Sequence, residues 1–411
     1  MSEKKAPKLR FKGYTDDWVQ CKLGEILSHL YNGQTPSRNV KNYWNGDIPW
    51  LTSGELNHGI VNNTLETISE SGKKSANLRL IPSGTIVIAI TGLEAPGTRG
   101  NCAILGINTT VNQSVMALFV KNNIDTQFVF QWYKKIGQEY GIRYTQGTKQ
   151  QSYNYDIVKI LPISIPLIKK EQEKIGKLLI QFDSLITLQQ LKIDQLNKVK
   201  KALLQQMFPE QDSKIPKTRF SRFTDPWEQR KLGEFIIEYN EKTTLNNQYP
   251  VLTSSRKGLF LQKDYFSGNQ IASIDNTGYN VVPYGYFTYR HMSDDNIFWF
   301  NINTLVRKGI VSTLYPVFTT NAELDSQYLQ LQLNFGDEFA RYALLQKQGG
   351  SRTYMYLKKL KQLRLTIPKT LDEQETISYF FDCFDSLIAL HQRKLDQLKQ
   401  VKKFLLQNMF I

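Results

Sequence analysis

The sequence predicts an α+β protein in which two globular domains are joined by a pair of long helices. The helices are expected to form an antiparallel coiled coil, and the chain is expected to be a pseudo-twofold internal repeat. Three observations carry this. A short box recurs at an offset of 209 residues, a long helical box recurs at an offset of 202, and the stretches between them barely resemble each other.

The short box comes first. Residues 7–25 read PKLRFKGYTDDWVQCKLGE and residues 216–234 read PKTRFSRFTDPWEQRKLGE, identical at twelve of nineteen positions. The identities include Arg10/Arg219, Phe11/Phe220, Asp16/Asp225 and Trp18/Trp227. Trp18 and Trp227 are read as partner-docking positions.

The variable stretches follow the boxes. Both are rich in Gly, Asn, Thr, Ser and aromatics. Strand-like runs such as 85–90 and 114–120 are interrupted by helical patterns at 127–136 and 326–333, which together read as an α+β globule.

The helical boxes, 171–208 and 373–410, share 23 of 38 residues and contain no proline. Apolar residues recur at heptad-like spacing. The expected seam is Phe182, Ile186, Ile193, Leu196, Leu203 and Met207 in the first copy, and Phe384, Ile388, Leu395, Leu398, Leu405 and Met409 in the second. Gln189 and His391 fall at the same seam slot, and Val199 and Val401 are expected to cover a drift where Lys200 and Lys402 would otherwise sit. Such a helix is a rod of roughly 55 Å, and it cannot bury its stripe alone. It must pack on its own domain or on the other copy, and matching stripes favour the other copy. Antiparallel pairing would make the halves equivalent, with the variable domains at opposite ends of the rod. The short connector would bring the second short box to the end of the first helix. By symmetry the N-terminal box should lie near the end of the second, making the chain quasi-circular.

These boundaries give an N-terminal box at 1–25, a first variable domain at 26–168 and a central helix at 169–208. A connector with the second box spans 209–234, a second variable domain 235–371 and a C-terminal helix 372–411.

Composition narrows the function. The 411 residues carry 52 Lys and Arg against 37 Asp and Glu, a net charge of +15, which suits a polyanionic partner. Three scattered cysteines exclude a disulfide framework or Cys-rich zinc module. No signal peptide is readable and the apolar strings are too short to span a bilayer, so a soluble, reduced, cytoplasmic protein is expected. No Gly-x-Gly, no Gly-Lys-Ser/Thr loop and no Pro-Pro occurs, and His29, His58, His291 and His391 are dispersed. Dinucleotide, S-adenosylmethionine and P-loop motifs are therefore missing, as are an amino-methyltransferase motif and a His-based triad or metal site. Asp212-Ser213-Lys214 faintly echoes a nuclease signature but sits in a connector. No catalytic residue and no metal ligand is expected.

The duplicated Pro-Lys-x-Arg-Phe…Trp…Lys-Leu-Gly-Glu opening and the helix beginning Glu-Gln-x-x-Ile…Phe-Asp-x-Leu-Ile resemble the specificity (S) subunit of type I restriction–modification enzymes. Ile48-Pro-Trp-Leu-Thr-Ser-Gly-Glu55 adds to the resemblance, which covers essentially the whole chain. The second variable stretch departs from it, with Tyr249-Pro-Val-Leu-Thr-Ser-Ser255 in place of Pro-Trp. The resemblance implies that the variable stretches are target recognition domains and that the repeated boxes form a coiled-coil spacer docking the methyltransferase subunits. Double-stranded DNA, two methyltransferase subunits and, through them, two restriction/translocase subunits would be the partners. The chain itself would be non-catalytic, with S-adenosylmethionine, ATP and Mg belonging to the partner subunits.

Loop residues with hydrogen-bonding or bidentate side chains are the candidate DNA readers. In the first domain (12 basic, 8 acidic residues over 26–168) they are Thr52, Ser53, Glu55, Arg99, Lys149, Gln150 and Gln151. In the second (15 basic, 10 acidic over 235–371) they are Thr253, Ser254, Arg256, Lys257, Tyr289, Arg290, His291, Ser351, Arg352 and Tyr354. Trp50 and Tyr153 read better as core than as stacking platforms. The competing function is a non-catalytic coiled-coil adaptor whose two heads bind proteins, its basic charge incidental. An enzyme with unrecognised motifs is the third. Salt-sensitive duplex binding with base preference separates the first from the adaptor.

Overall fold

Ile86–Ala89 is a short, uninterrupted apolar run, the pattern of a strand covered on both faces. It lies at the centre of a five-stranded sheet, antiparallel to Val115–Val120 on one side and Cys102–Leu105 on the other, with Leu27–Asn32 and Ile60–Val61 at the edges. Ile86, Val87 and Ile88 are completely buried, each contributing on the order of 1.5–3 kcal/mol. Trp44–Leu51 forms a second sheet with Glu66–Ile68 and Thr110–Val111. The helix Thr126–Arg143 covers this core.

The computed structural model describes residues 6–95, 97–145, 151–210, 213–268, 272–347 and 352–411. Lys149, Gln150 and Ser351 lie outside them. The chain divides into two compact units, Met1–Leu191 with Gln392–Ile411, and Lys192–His391. Each long helix, Lys169–Gln206 and Leu371–Asn408, therefore contributes one part to each unit.

The second unit is built around a four-stranded sheet, Ile236–Glu238, Val317–Thr320, Phe287–Thr288 and Asn301–Ile302. Phe287 and Phe318 stack across it at 4.6 Å. A hairpin joins Leu252–Ser255 to Gly258–Leu261, and a separate antiparallel pair joins Met292–Ser293 to Thr353–Tyr354 from a distant part of the chain.

The repeat is legible in both units as the same set of bonds. Val19–Lys22 pairs with Pro162–Ile165 in the first and Glu228–Lys231 with Arg364–Ile367 in the second. Asp125 caps its helix through Phe128 N–H (2.7 Å) while its own N–H donates to Gln172 Oε1 (2.8 Å). Asp325 does the same with Tyr328 and Gln374, at 2.8 Å each. Capping satisfies an amide that the helix start leaves open, and the glutamine fixes the cap to the long helix. The N-terminal box meets the end of the second long helix through Leu9 N–H to Asn408 C=O at 2.8 Å. In the second unit Thr218 N–H reaches Gln206 C=O at 3.0 Å.

Within each unit the two long helices run antiparallel. In the first, Lys402 on one helix donates to Asp183 on the other; in the second, Lys200 pairs with Asp385 at 2.5 Å. Ile193, Met207, Leu395 and Met409 are buried, and the remaining expected seam residues are half-buried. Two expectations are corrected. Val199 and Val401 point outward, 48% and 45% exposed, while Lys200 and Lys402 take the inner slot because a carboxylate faces each of them. Trp18 and Trp227 are not partner-docking positions, being 2% and 1% exposed. Each indole packs edge-on to an aromatic of the capped helix, Phe128 or Tyr328, and plugs the space beneath its own short box.

Candidate nucleic-acid interface

In the first unit Thr52 ends the Trp44–Leu51 strand and starts a single turn, Ser53–Glu55. The carboxylate of Glu55 accepts from Thr52 N–H (2.8 Å), Thr52 Oγ1–H (2.7 Å) and Leu65 N–H (2.7 Å). Both of its oxygens are thus engaged in closing a capping box and holding the neighbouring loop, and Glu55 is corrected from a reader to a brace. Trp50 is buried, its indole N–H donating to Gln34 C=O at 3.1 Å.

Arg99 braces its own loop with two of its five donors. Its Nε donates to Leu93 C=O (2.8 Å) and Nη2 to Glu94 C=O (3.1 Å). The loop it braces lies against the Thr126–Arg143 helix. Gly100 has φ +75°, and a Cβ there would fall 2.6 Å from Gln138 N, so only glycine allows this approach. Gln151 is zipped to the same loop, its N–H bonded to Glu94 Oε2 (2.9 Å) and its C=O to Leu93 N–H (3.1 Å). Tyr153 is buried.

One residue of this unit escaped the sequence reading. Arg38 lies with its guanidinium 3.7 Å from the Trp44 ring centroid and forms a bidentate pair with Glu66 at 2.5 and 2.9 Å. The pair is exposed, and the Arg38 hydrogen bond holds the Glu66 carboxyl below its usual range. An arginine two residues after Pro36, just before an aromatic strand, was the available signal.

The second unit brings its candidates together. Thr253, Ser254, Arg256 and Arg290 line one cleft of about 460 Å³ with Asp294 and Asp295. Ser254 is fixed by Thr288 C=O (3.3 Å) and Asn301 Nδ2 (2.8 Å), and Thr253 Oγ1 accepts from Gln262 (3.3 Å). Arg256 and Lys257 sit on the exposed turn between the strands Leu252–Ser255 and Gly258–Leu261. Arg256 pairs with Asp295 at 2.5 Å, and Arg352 with Asp294 at 2.7 Å. The Arg256 hydrogen bond is the chief cause of an Asp295 carboxyl held down at about 2.

Two candidates here are corrected. Tyr289 is fully buried, its hydroxyl donating to Met355 C=O at 2.8 Å. His291 is 8% exposed, its Nδ1 against Leu314 C=O and its ring stacked on Tyr356 at 4.9 Å. Residues 289–291 link the strands Phe287–Thr288 and Met292–Ser293, and in this link Tyr289 and His291 turn inward while Arg290 is exposed. Tyr354 is 37% exposed and stacks near-parallel on Tyr356 at 5.8 Å.

A duplicated scaffold thus holds two unlike α+β heads, one in each unit. The model of the type I restriction modification DNA specificity domain matches residues 15–198 and again 224–400. The chain belongs to that family. It is 27% identical over 238 residues to the type I restriction enzyme MjaIX specificity subunit of Methanocaldococcus jannaschii, covering 54% of this chain and 52% of that relative. The chain thus spans about half the length of that relative. It is 21% identical over 422 residues to the MjaVIII specificity subunit of the same organism, covering 94% and 91% of the two chains. The fold is that of the crystal structure of a type I restriction-modification S subunit from M. genitalium, with a TM-score of 0.62 at 15% identity over 99% of each chain. Among the described residues no helix is long and apolar enough to cross a membrane.

Proposed function

We propose that this protein is the sequence-specific DNA-recognition subunit of a type I restriction–modification complex, reading a bipartite, asymmetric site and docking methyltransferase subunits. One observation carries the reading. The two units repeat the same pinning bonds, Arg10–Glu171 with Asp125–Gln172 and Arg219–Glu373 with Asp325–Gln374, while the loops held by those bonds differ in sequence and geometry. Equivalent mounts with unlike surfaces suit two unlike half-sites, each read by its own unit, with centres about one helical turn, roughly 10 bp, apart.

The outer faces of the long helices are the proposed dock for the methyltransferase subunits. Leu185, Leu188, Leu387 and Leu390 are 39–63% exposed. They occupy matching positions in the two helical boxes, so two copies of one partner would find the same apolar surface. Restriction/translocase subunits would join through those partners.

The chain itself is proposed to be non-catalytic. The His58–Cys102 pair, 3.7 Å apart, is no nucleophile and base, because burial pushes the thiol up to about 12 and the imidazole below its ordinary value. S-adenosylmethionine, ATP and Mg are assigned to partner subunits. Methylome mapping of the host with and without the gene is the test: the expected result is loss of a single bipartite, asymmetric motif. Loss of a palindromic or continuous motif, or of none, overturns the reading.

A further inference from the structure

The exposed turn Ser293–Asn296 of the second unit is the meeting point of two arginines that come from distant parts of the chain. Arg256 reaches Asp295 with Nη2 at 2.5 Å, and Arg352 reaches Asp294 with Nε at 2.7 Å. The turn is held rigidly. Its flanking strand Met292–Ser293 pairs with Thr353–Tyr354, Thr353 Oγ1 hydrogen-bonds Asn296, and Asn296 takes φ +63°. Asp295 is further fixed by Ser293 Oγ (2.8 Å) and Ile297 N–H (3.2 Å). Both ion pairs are about half exposed, and exposed pairs add little stability. Stability therefore does not account for two such pairs on one turn, beside the cleft that gathers Thr253, Ser254 and Arg290.

The chemistry of the pairs differs toward the two things an arginine meets on DNA. Each arginine spends one hydrogen bond on its carboxylate, whereas a guanidinium carries five donors. The remaining fork can still meet guanine O6 and N7, which bring no net charge. A phosphate brings a full negative charge next to the carboxylate and is repelled by it. A fixed carboxylate behind each arginine thus lowers affinity for backbone more than affinity for a guanine edge, and it orients the fork beforehand.

We infer that Asp294 and Asp295 are specificity-determining positioning residues: they restrain Arg352 and Arg256 from binding phosphate and present them to guanine, so that the half-site read by this unit contains G·C pairs. The inference rests on the DNA-recognition reading above.

The test uses the full chain in complex with its methyltransferase partner. Fluorescence anisotropy is recorded over a salt series on a random-sequence duplex pool and on a duplex carrying the mapped site. Asp295→Asn keeps the shape and the acceptor for Ser293 and Ile297. It is expected to tighten binding to the random pool and to steepen its salt dependence by about one unit of log–log slope per arginine released. Binding to the mapped site stays equal or weakens, so discrimination falls. Asp294→Asn acts likewise through Arg352. Asp295→Glu keeps the wild-type slope, and in an Arg256→Ala background Asp295→Asn changes nothing. An unchanged slope in Asp295→Asn overturns the inference alone, as does the same gain in the Arg256→Ala background, which would mark a plain net-charge effect. Wild-type complex that does not distinguish its mapped site from the random pool overturns the underlying reading as well.

Discussion

Arg219 grips the buried carboxylate of Glu373 with two hydrogen bonds, Nε at 2.6 Å and Nη2 at 2.8 Å, and Arg10 grips Glu171 in the same way at 2.6 and 2.9 Å. The arginine belongs to the short box and the glutamate to the first turn of the long helix, so each bond ties two repeated segments that are far apart in the chain. A helix start favours negative charge, and a bidentate guanidinium compensates the desolvation that burying it costs. Trp227 adds an indole N–H to Glu373 at 3.1 Å, whereas the Trp18 nitrogen has no protein acceptor.

Removing one partner should therefore harm the fold more than removing both. Arg219→Met leaves Glu373, 2% exposed, as an uncompensated buried charge and is expected to cost about 3–5 kcal/mol. Adding Glu373→Met to it should recover part of that loss. Urea unfolding of the single and double variants checks the sign, and a double variant less stable than the single one counts against it.

The long helices present matching outer leucines, and these are expected to govern docking. Leu188→Asp with Leu390→Asp, at positions 63% and 60% exposed, should abolish methyltransferase binding and leave the melting curve nearly unchanged. Trp18→Asp with Trp227→Asp should instead unfold the chain, since both indoles are core. Native mass spectrometry and thermal melts read the two effects separately. Retained partner binding in the leucine variant would contradict the proposed dock.

Lys402 supplies a pH signature. Burial, and then the neighbouring Lys134 ammonium, lower its pKa from 10.5 to about 8, although Asp183 pulls it upward. Across that window the unfolded chain holds more protons on this group than the folded chain, so its contribution makes stability rise with pH. Lys402→Met should remove that slope. The comparison needed is the stability difference between wild type and variant at several pH values from 7 to about 10.5; a constant difference would show that folding does not lower the pKa of Lys402.

Exchange of 235–362 for the matching stretch of another family member should alter one half-site only, because the pinning bonds of the second unit lie outside or at the edge of that stretch, apart from Asp325. The replacement must carry an aspartate at that place to meet Gln374. Methylation mapping of the chimera gives the answer, and a change in both half-sites would show that the units do not read independently.

The organisation of the chain was legible from residues alone, because duplication writes it into the order of letters. Two copies of one box and two copies of one heptad stripe imply a paired, antiparallel helical scaffold, since no single amphipathic helix can bury its own stripe. The strands 86–89 and 115–120 were equally legible from uninterrupted apolar runs. The inner lysines were not. Lys200 and Lys402 look misplaced in a seam until a carboxylate on the opposite helix is seen to face them, and that meeting depends on register between segments far apart in the chain. The same holds for the loops. Glu55 has the side chain of a reader, yet both its oxygens are engaged by Thr52 and Leu65; Arg99 is tied to two carbonyls of its own loop, and Tyr289 and His291 are buried in the link between two short strands. Arg256 and Arg352 kept their exposed positions, and only tertiary structure brought Asp295 and Asp294 to them. Local pattern determines which segments become strands, helices and turns; long-range packing decides which polar side chains are left to meet another molecule.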